Sequence, residues 1–510
     1  MGGRVMLPLL LCLSAAGPPL LVQGGDPYLF FTWNVTYGSI SPLGTPQQGI
    51  LINNQFPGPN INSTTNNNIV INVFNYLDVP FLLTWKNSWQ DGVLGTNYPI
   101  PPKTNYTYRF QVKDQIGSYM YYPVIAMHKA AGGFGGLRIN TDDYTILAGD
   151  WFSKGHIALK KILDSGRNLG RCDGVHINGK VSKGDGKDEP LFTMEPGKTY
   201  KYKICNVGIK TALNIRFQGN NMRLVEMEGS HTMQSIVLVT ANQEPMDYYV
   251  VASTRFTRQM VTATGIIRYT NGKGVASSKL PPPPTSWAWS LNQFRTFRWN
   301  LTTSAARPNP QGSYHYGSIN ITRTIKLINT AGKLNDKLRY AINGVSYVEP
   351  STPLKLAEYY NIADKVFKYD NIVDDPPAEI SKITLDPIIL IFTYRDFIEI
   401  IFENHENAIQ SWHLSGYSFF ARKNYKLLDA FSRHTIQVFP QSWATILLTF
   451  DNCGMWNIRY EIWDKHYLGQ QLYVSVLSSA HSLKDEYNMP DDSPLCGIME
   501  SMPKPQPCNV

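Results

Sequence analysis

Three observations predict an all-β chain built from three similar β-sandwiches. First, Ile52-Asn53-Asn54-Gln55, Ile177-Asn178-Gly179-Lys180 and Ile342-Asn343-Gly344-Val345 each read as a tight hairpin turn between apolar flanks. Second, each turn precedes an alternating strand that ends in asparagine, over residues 69–75, 202–206 and 397–404, and a further strand follows at 81–85, 213–217 and 412–414. Period-two alternation marks half-buried strands, and three copies of one pattern mark three related units. Third, the 510 residues include 29 Tyr, 33 Pro and 39 Gly with only 17% charged residues, a mix that favours strands and turns over helices.

Breakers divide the chain. Arg4, the apolar run from Met6 to Leu13 and small residues up to Gly25 form a secretory signal over residues 1–25, too short and too broken by Pro8 to span a bilayer. The first sandwich is expected over 26–141. Thr141-Asp142-Asp143 then gives way to the strand Tyr144-Thr145-Ile146-Leu147, which opens a second unit over 142–285. That unit ends in Asn271-Gly272-Lys273-Gly274 and Pro281-Pro282-Pro283-Pro284, a semi-rigid linker. The third sandwich is expected over 286–480, with a polar tail over 481–510. Two short helices are expected, at 155–164 and 352–361.

After the leader no segment reaches the ~20 apolar residues that cross a membrane. The polar tail from Met502 to Val510 lacks the hydrophobic signal of a lipid anchor. Export is therefore expected, and five N-x-S/T acceptors suit it: Asn34, Asn62, Asn105, Asn300 and Asn320. The net charge of +8 comes without a long Lys/Arg run, which argues against nucleic-acid binding and reads first as a solvated, slightly basic surface, with an acidic polysaccharide or anionic surface as the alternative partner. Of six cysteines, Cys12 lies in the leader. The remaining Cys172, Cys205, Cys453, Cys496 and Cys508 are odd in number and show no C-x-x-C spacing, so at least one is unpaired or pairs between chains, and a cysteine metal cluster is not expected.

The chemistry-bearing segment is Gly454-Met455-Trp456-Asn457-Ile458-Arg459-Tyr460-Glu461, closed by Leu468-Gly469. Beside it stand Asn87-Ser88-Trp89-Gln90-Asp91-Gly92, Asp114-Gln115-Ile116-Gly117-Ser118-Tyr119 and Ala130-Ala131-Gly132-Gly133-Phe134-Gly135-Gly136. Together these segments closely resemble the plant multicopper oxidases, ascorbate oxidase most of all. Within them the chain is most similar to the skewed-root-similar subgroup, which includes pollen-specific ascorbate oxidase homologues. The resemblance runs from about Tyr28 to Cys496 and implies three cupredoxin domains.

In active relatives, four motifs rich in histidine carry copper. By that resemblance the ligand positions hold Thr84 and Lys86 in the first motif, and Tyr122 and Val124 in the second. The third holds Gln410, His413 and Ser415, and the last holds Arg459, Tyr460, Glu461 and Lys465, with Gln470 at the axial place. His413 alone is retained. A type 1 copper needs a thiolate and imidazoles, so no copper and no catalytic residue are expected. His413 reads as a hydrogen-bonded core residue. Glu461, Asp464 and Lys465 read as an ion pair filling a vacated pocket rather than an acid/base device.

Compared with that subgroup, the chain is shortened after Trp85, Asn140, Gln234 and Phe420. Relatives carry a cysteine at the place of Tyr98 to pair with the one at Cys496, which leaves Cys508 as the substitute partner here. The resemblance implies a secreted glycoprotein of the plant cell wall or apoplast without redox activity. It would act as a binding or structural factor in directional cell expansion or pollen-tube growth, with a wall polysaccharide such as pectin or an extracellular protein as partner. The alternative is a copper-dependent oxidoreductase, ascorbate- or laccase-like with oxygen as acceptor, using atypical ligation.

Overall fold

A computed structural model describes residues 26–84, 89, 92–112, 117–139, 144–182, 188–226, 234–272, 279–284, 286–299, 320–377, 379–380, 382–422, 431–480, 485–486 and 488–505. Three β-sandwiches follow one another along the chain. The first packs a four-stranded sheet on a three-stranded one, the second a four- on a five-stranded sheet, and the third an eight- on a five-stranded sheet.

The repeated asparagines explain why the same unit forms three times. In each hairpin turn both central residues have positive φ: Asn53 and Asn54 at 51° and 59°, Asn178 and Gly179 at 49° and 77°, Asn343 and Gly344 at 49° and 81°. Asparagine and glycine tolerate that left-handed region, which a two-residue hairpin of this kind requires. The turn asparagine also clamps the neighbouring strand. Its Oδ1 accepts from the backbone N–H of Asn34, Leu147 or Ile328 at 2.7, 2.7 and 2.8 Å. Its Nδ2 donates to the carbonyl of Thr32, Thr145 or Lys326 at 3.0, 3.1 and 2.8 Å.

The strand that ends in asparagine lies parallel to the opening strand of its sandwich. Asn68–Asn75 pairs with Tyr28–Ile40, Thr199–Asn206 with Tyr144–Trp151, and Phe397–Asn404 with Arg323–Leu334. The terminal asparagine satisfies the backbone that leaves the sheet, which buried polar groups demand. Asn75 donates to the Val79 and Ile100 carbonyls, both at 2.9 Å, and accepts from Leu77 N–H at 3.0 Å. Asn206 and Asn404 accept in the same way from Gly208 and Glu406, at 3.0 and 2.9 Å.

Each sandwich buries its own core, and a further apolar cluster joins all three. It gathers Tyr122 and Phe134 from the first, Trp151, Phe152, Val207 and Ile209 from the second, and Tyr340, Trp463 and Leu468 from the third. This junction positions the site described below.

Two expectations need correction. Of the strand expected at 81–85, Trp85 lies outside the described residues, and residues 81–84 form no ladder strand: Phe81 bridges Ile100 and Leu83 bridges Pro123, each in isolation. Phe81, Leu82 and Leu83 are all buried, so the alternation of a half-exposed strand is absent. The second correction is a helix, Trp287–Trp299, that no sequence pattern announced. It fills part of the span expected to open the third sandwich, whose first strand is Arg323–Leu334. The helices His156–Asp164 and Leu354–Tyr359 form inside the two stretches where short helices were expected. Among the described residues no helix is long and apolar enough to cross a membrane.

Candidate functional site

The strand Gly454–Tyr460 is wholly buried between Gln410–Leu414 and Gln471–Leu477. Its register places Arg459 opposite His413 and Tyr460 opposite Trp412. Successive side chains of a strand face opposite ways. Arg459 therefore faces the first sandwich, whereas Tyr460 enters the core of the third. Two pockets result, one on each face.

Arg459 organises the first pocket. Its Nη2 donates to Tyr122 Oη at 2.8 Å and its Nη1 to Ser415 Oγ at 3.0 Å, and its Nε lies 3.5 Å from Glu461 Oε1. Both charged side chains are buried, 7% and 5% exposed. Thus four of the singled-out positions, Tyr122, Ser415, Arg459 and Glu461, meet around one guanidinium. Thr84 and Val124 stand beside them through the backbone. Thr84 N–H donates to the Tyr122 carbonyl at 3.1 Å, and Val124 N–H to that of Leu82 at 3.0 Å. His413 is half-buried, with Nδ1 3.0 Å from Thr435 Oγ1.

Sequence reasoning missed Lys129, which sits in a short turn of the small-residue segment. Its ammonium is buried 4.4 Å from the Tyr122 ring centre and 5.1 Å from that of Trp463, an arrangement that aromatic faces stabilise. Burial pulls Lys129 down to about 8, with Glu461 opposing that shift and Arg459 reinforcing it. Only the high apolar content of the surrounding segment could have hinted at a buried lysine. His466 lies next to Lys465 on the helix Trp463–Tyr467, and burial lowers it to about 3, which keeps the imidazole neutral.

The second pocket holds Lys465. Its Nζ is 2.6 Å from Glu406 Oε2, and 5.0 and 5.1 Å from the ring centres of Tyr340 and Tyr460. Tyr460 Oη donates to the Ile409 carbonyl at 3.3 Å, and burial holds this phenol well above its ordinary value, so it stays protonated. Gln410 Oε1 accepts from Trp412 Nε1 at 2.9 Å, while its Nε2 and both amide atoms of fully buried Gln470 make no hydrogen bond.

The expected pairing among Glu461, Asp464 and Lys465 is corrected. Glu461 pairs with Arg459 and Lys465 with Glu406, and Asp464 meets Lys210 of the second sandwich at 2.6 Å. Asp464 and Lys465 are adjacent on a helix, where neighbours in sequence do not face each other.

These side chains do not fit copper. Protonated guanidinium and ammonium groups have no lone pair to give, and a neutral phenol cannot replace a thiolate. Among the described residues, no group of three or more His, Cys, Asp or Glu converges as a metal site. Lys86, Asn300 and Cys508 lie outside the described residues. Asn34, Asn62, Asn105 and Asn320 are all exposed. Cys496 is buried and makes no disulfide with another described cysteine.

Comparison with known proteins agrees with this architecture. Multicopper oxidase family models match residues 34–143, 142–272 and 351–482. An L-ascorbate oxidase homolog of Brassica napus is 61% identical over 549 aligned positions, covering 99% of each chain. Those positions outnumber the 510 residues here, so this relative carries residues that the present chain lacks. The monocopper oxidase-like protein SKU5 of Arabidopsis thaliana is 44% identical over 540 positions, covering 94% of this chain and 91% of its own. The crystal structure of Fet3p, a multicopper oxidase that functions in iron import, superposes with a TM-score of 0.70 at 18% identity, over 88% of this chain and 90% of that one. With its three cupredoxin-like domains, the chain belongs to the multicopper oxidase family, whose characteristic metal is copper.

Proposed function

We propose that this protein is an exported glycoprotein of the plant cell wall that keeps the multicopper oxidase frame without its redox chemistry. In this reading it serves as a binding or structural factor in directional cell expansion or pollen-tube growth. The observation that carries the proposal is the Arg459 guanidinium, bonded to Tyr122 and Ser415 across two domains where active relatives place copper ligands. A fixed positive charge at that point repels a metal cation, and Lys465 puts a second one in the other pocket. The four exposed N-x-S/T acceptors and the leader sequence support export.

Oxygen uptake with ascorbate and with phenols, measured on protein purified from its own tissue, tests the reading. No uptake above a heat-treated control and no blue thiolate-to-copper band are expected. Turnover that a chelator abolishes would replace this reading with that of a copper-dependent oxidoreductase of ascorbate- or laccase-like type.

A further inference from the structure

A cleft of ≈ 820 Å³ runs between the second and third sandwiches and the helix Trp287–Trp299, and touches the Arg459 pocket only at its floor. That volume lies within the range of sites that hold small organic ligands. Its floor carries Lys129, Glu461 and Gln437. Gln437 is 4% exposed and its Nε2 has no hydrogen-bond partner, whereas Glu461 Oε1 is held 3.5 Å from Arg459 Nε. A buried donor with unmet capacity thus lines this space, a costly arrangement unless something binds there.

The mouth is different. Trp287 is 52% exposed and stands edge-on to Phe256, with centroids 5.8 Å apart at 83°. This indole is held in place, because Arg255 Nε donates to Ser290 Oγ at 3.1 Å and its Nη2 to the Ser286 carbonyl at 3.1 Å, which anchors the start of the helix. On the flank, exposed Arg171 donates to the neutral amide oxygen of Gln259 at 3.2 Å. Lys210 also lines the cleft, but Asp464 neutralises it. Asp173 adds a carboxylate that accepts from the Ser153 N–H.

A ligand that meets all of these groups needs an apolar ring face for Trp287 and an anionic group for Arg171. It also needs a hydroxyl that accepts from Gln437. A lipid would leave the floor unmet, and a neutral sugar would leave Arg171 unused. We propose that this cleft binds a short uronic-acid oligosaccharide, ring stacked on Trp287 and carboxylate on Arg171. The proposal rests on the binding role put forward above and gives that role a site and a ligand class.

Calorimetric titration of the full glycosylated chain with galacturonic-acid oligomers tests it, alongside their methyl esters and neutral xylose oligomers. Acidic oligomers should bind. Methyl esterification, Arg171→Ala and Trp287→Ala should each weaken binding about tenfold, the loss expected for one charge-assisted contact or one stacked ring. Arg171 and Trp287 are exposed, so circular dichroism of these variants should match that of the parent. Absence of binding, equal binding of the neutral oligomers, or variants that bind like the parent would each overturn the proposal. The two readings fail separately. Copper-dependent oxygen uptake removes the non-redox reading, whereas a copper-free protein indifferent to uronates removes this site alone.

Discussion

The two pockets on either side of the strand Gly454–Tyr460 each hold a cation at a position that the family resemblance assigns to a copper ligand, yet they accommodate it differently. Arg459 is a planar fork, and it spends its donors on hydroxyls from the first and third sandwiches and on one carboxylate. Its polar needs are met across a domain junction. Lys465 is a point charge met by Glu406 and two tyrosine rings, and beside it Gln410 and Gln470 keep amide atoms without hydrogen bonds. Arginine and lysine differ in this way generally, the first suited to directed multiple bonds and the second to compact pairing. The lesson is that the Arg459 pocket ties domains together, whereas the Lys465 pocket is local and loosely satisfied.

Stability measurements sharpen that contrast. Arg459→Ala strands Glu461 as a buried charge and leaves Tyr122 and Ser415 without their shared donor, a change worth about 3–5 kcal/mol of destabilisation. Guanidinium unfolding checks it, and Arg459→Lys should recover only a minor part, since an ammonium lacks the planar fork whose separate nitrogens reach both hydroxyls and the carboxylate. Lys465→Met should cost less, about 1–2 kcal/mol, because Lys465 and Glu406 remain 15% and 23% exposed and water screens the pair. Equal losses at the two positions would break the comparison.

A substitution in the second pocket should act in the opposite direction. Gln470→Leu replaces a buried amide that makes no hydrogen bond with an apolar group of similar size, and should raise stability by about 1 kcal/mol, read as a higher Tm. A lower Tm would show that the amide is satisfied.

The smallest effect in ordinary buffer concerns Lys129. Burial sets its pKa near 8 in the folded protein against an ordinary value of 10.5. Below about 8 both states are protonated, and the folded one carries the burial penalty. Between about 8 and 10.5 the folded state releases the proton while the unfolded chain keeps it, so this group makes stability rise with pH. Lys129→Met should remove that rise from the difference between denaturation curves at low and high ends of the window. An unchanged slope would show that Lys129 is not desolvated.

Much of the fold could be read from sequence because its signals are local. The turn pair, the alternating strand and its closing asparagine each carry their signal in a few adjacent residues, and each asparagine serves backbone groups of its own sandwich. The helix Trp287–Trp299 escaped notice for the opposite reason. It follows four prolines, lacks a clean apolar stripe, and is anchored by Arg255, which lies just past the end of the strand Asp247–Thr254. The resemblance singled out Tyr122, Ser415, Arg459 and Glu461, and the structure brings these four side chains together around one guanidinium. Their new partners were not. Lys129, Lys210 and Glu406 meet the site from three separate parts of the chain, and nothing in local sequence ties them to Glu461, Asp464 or Lys465.

The central claim is that fixed cations now stand where metal would sit. Elemental analysis combined with electron paramagnetic resonance, on protein purified from its own tissue, addresses it most directly. The account predicts copper at background levels and no cupric signal. Copper retained in stoichiometric amounts through desalting and released by a chelator would contradict it.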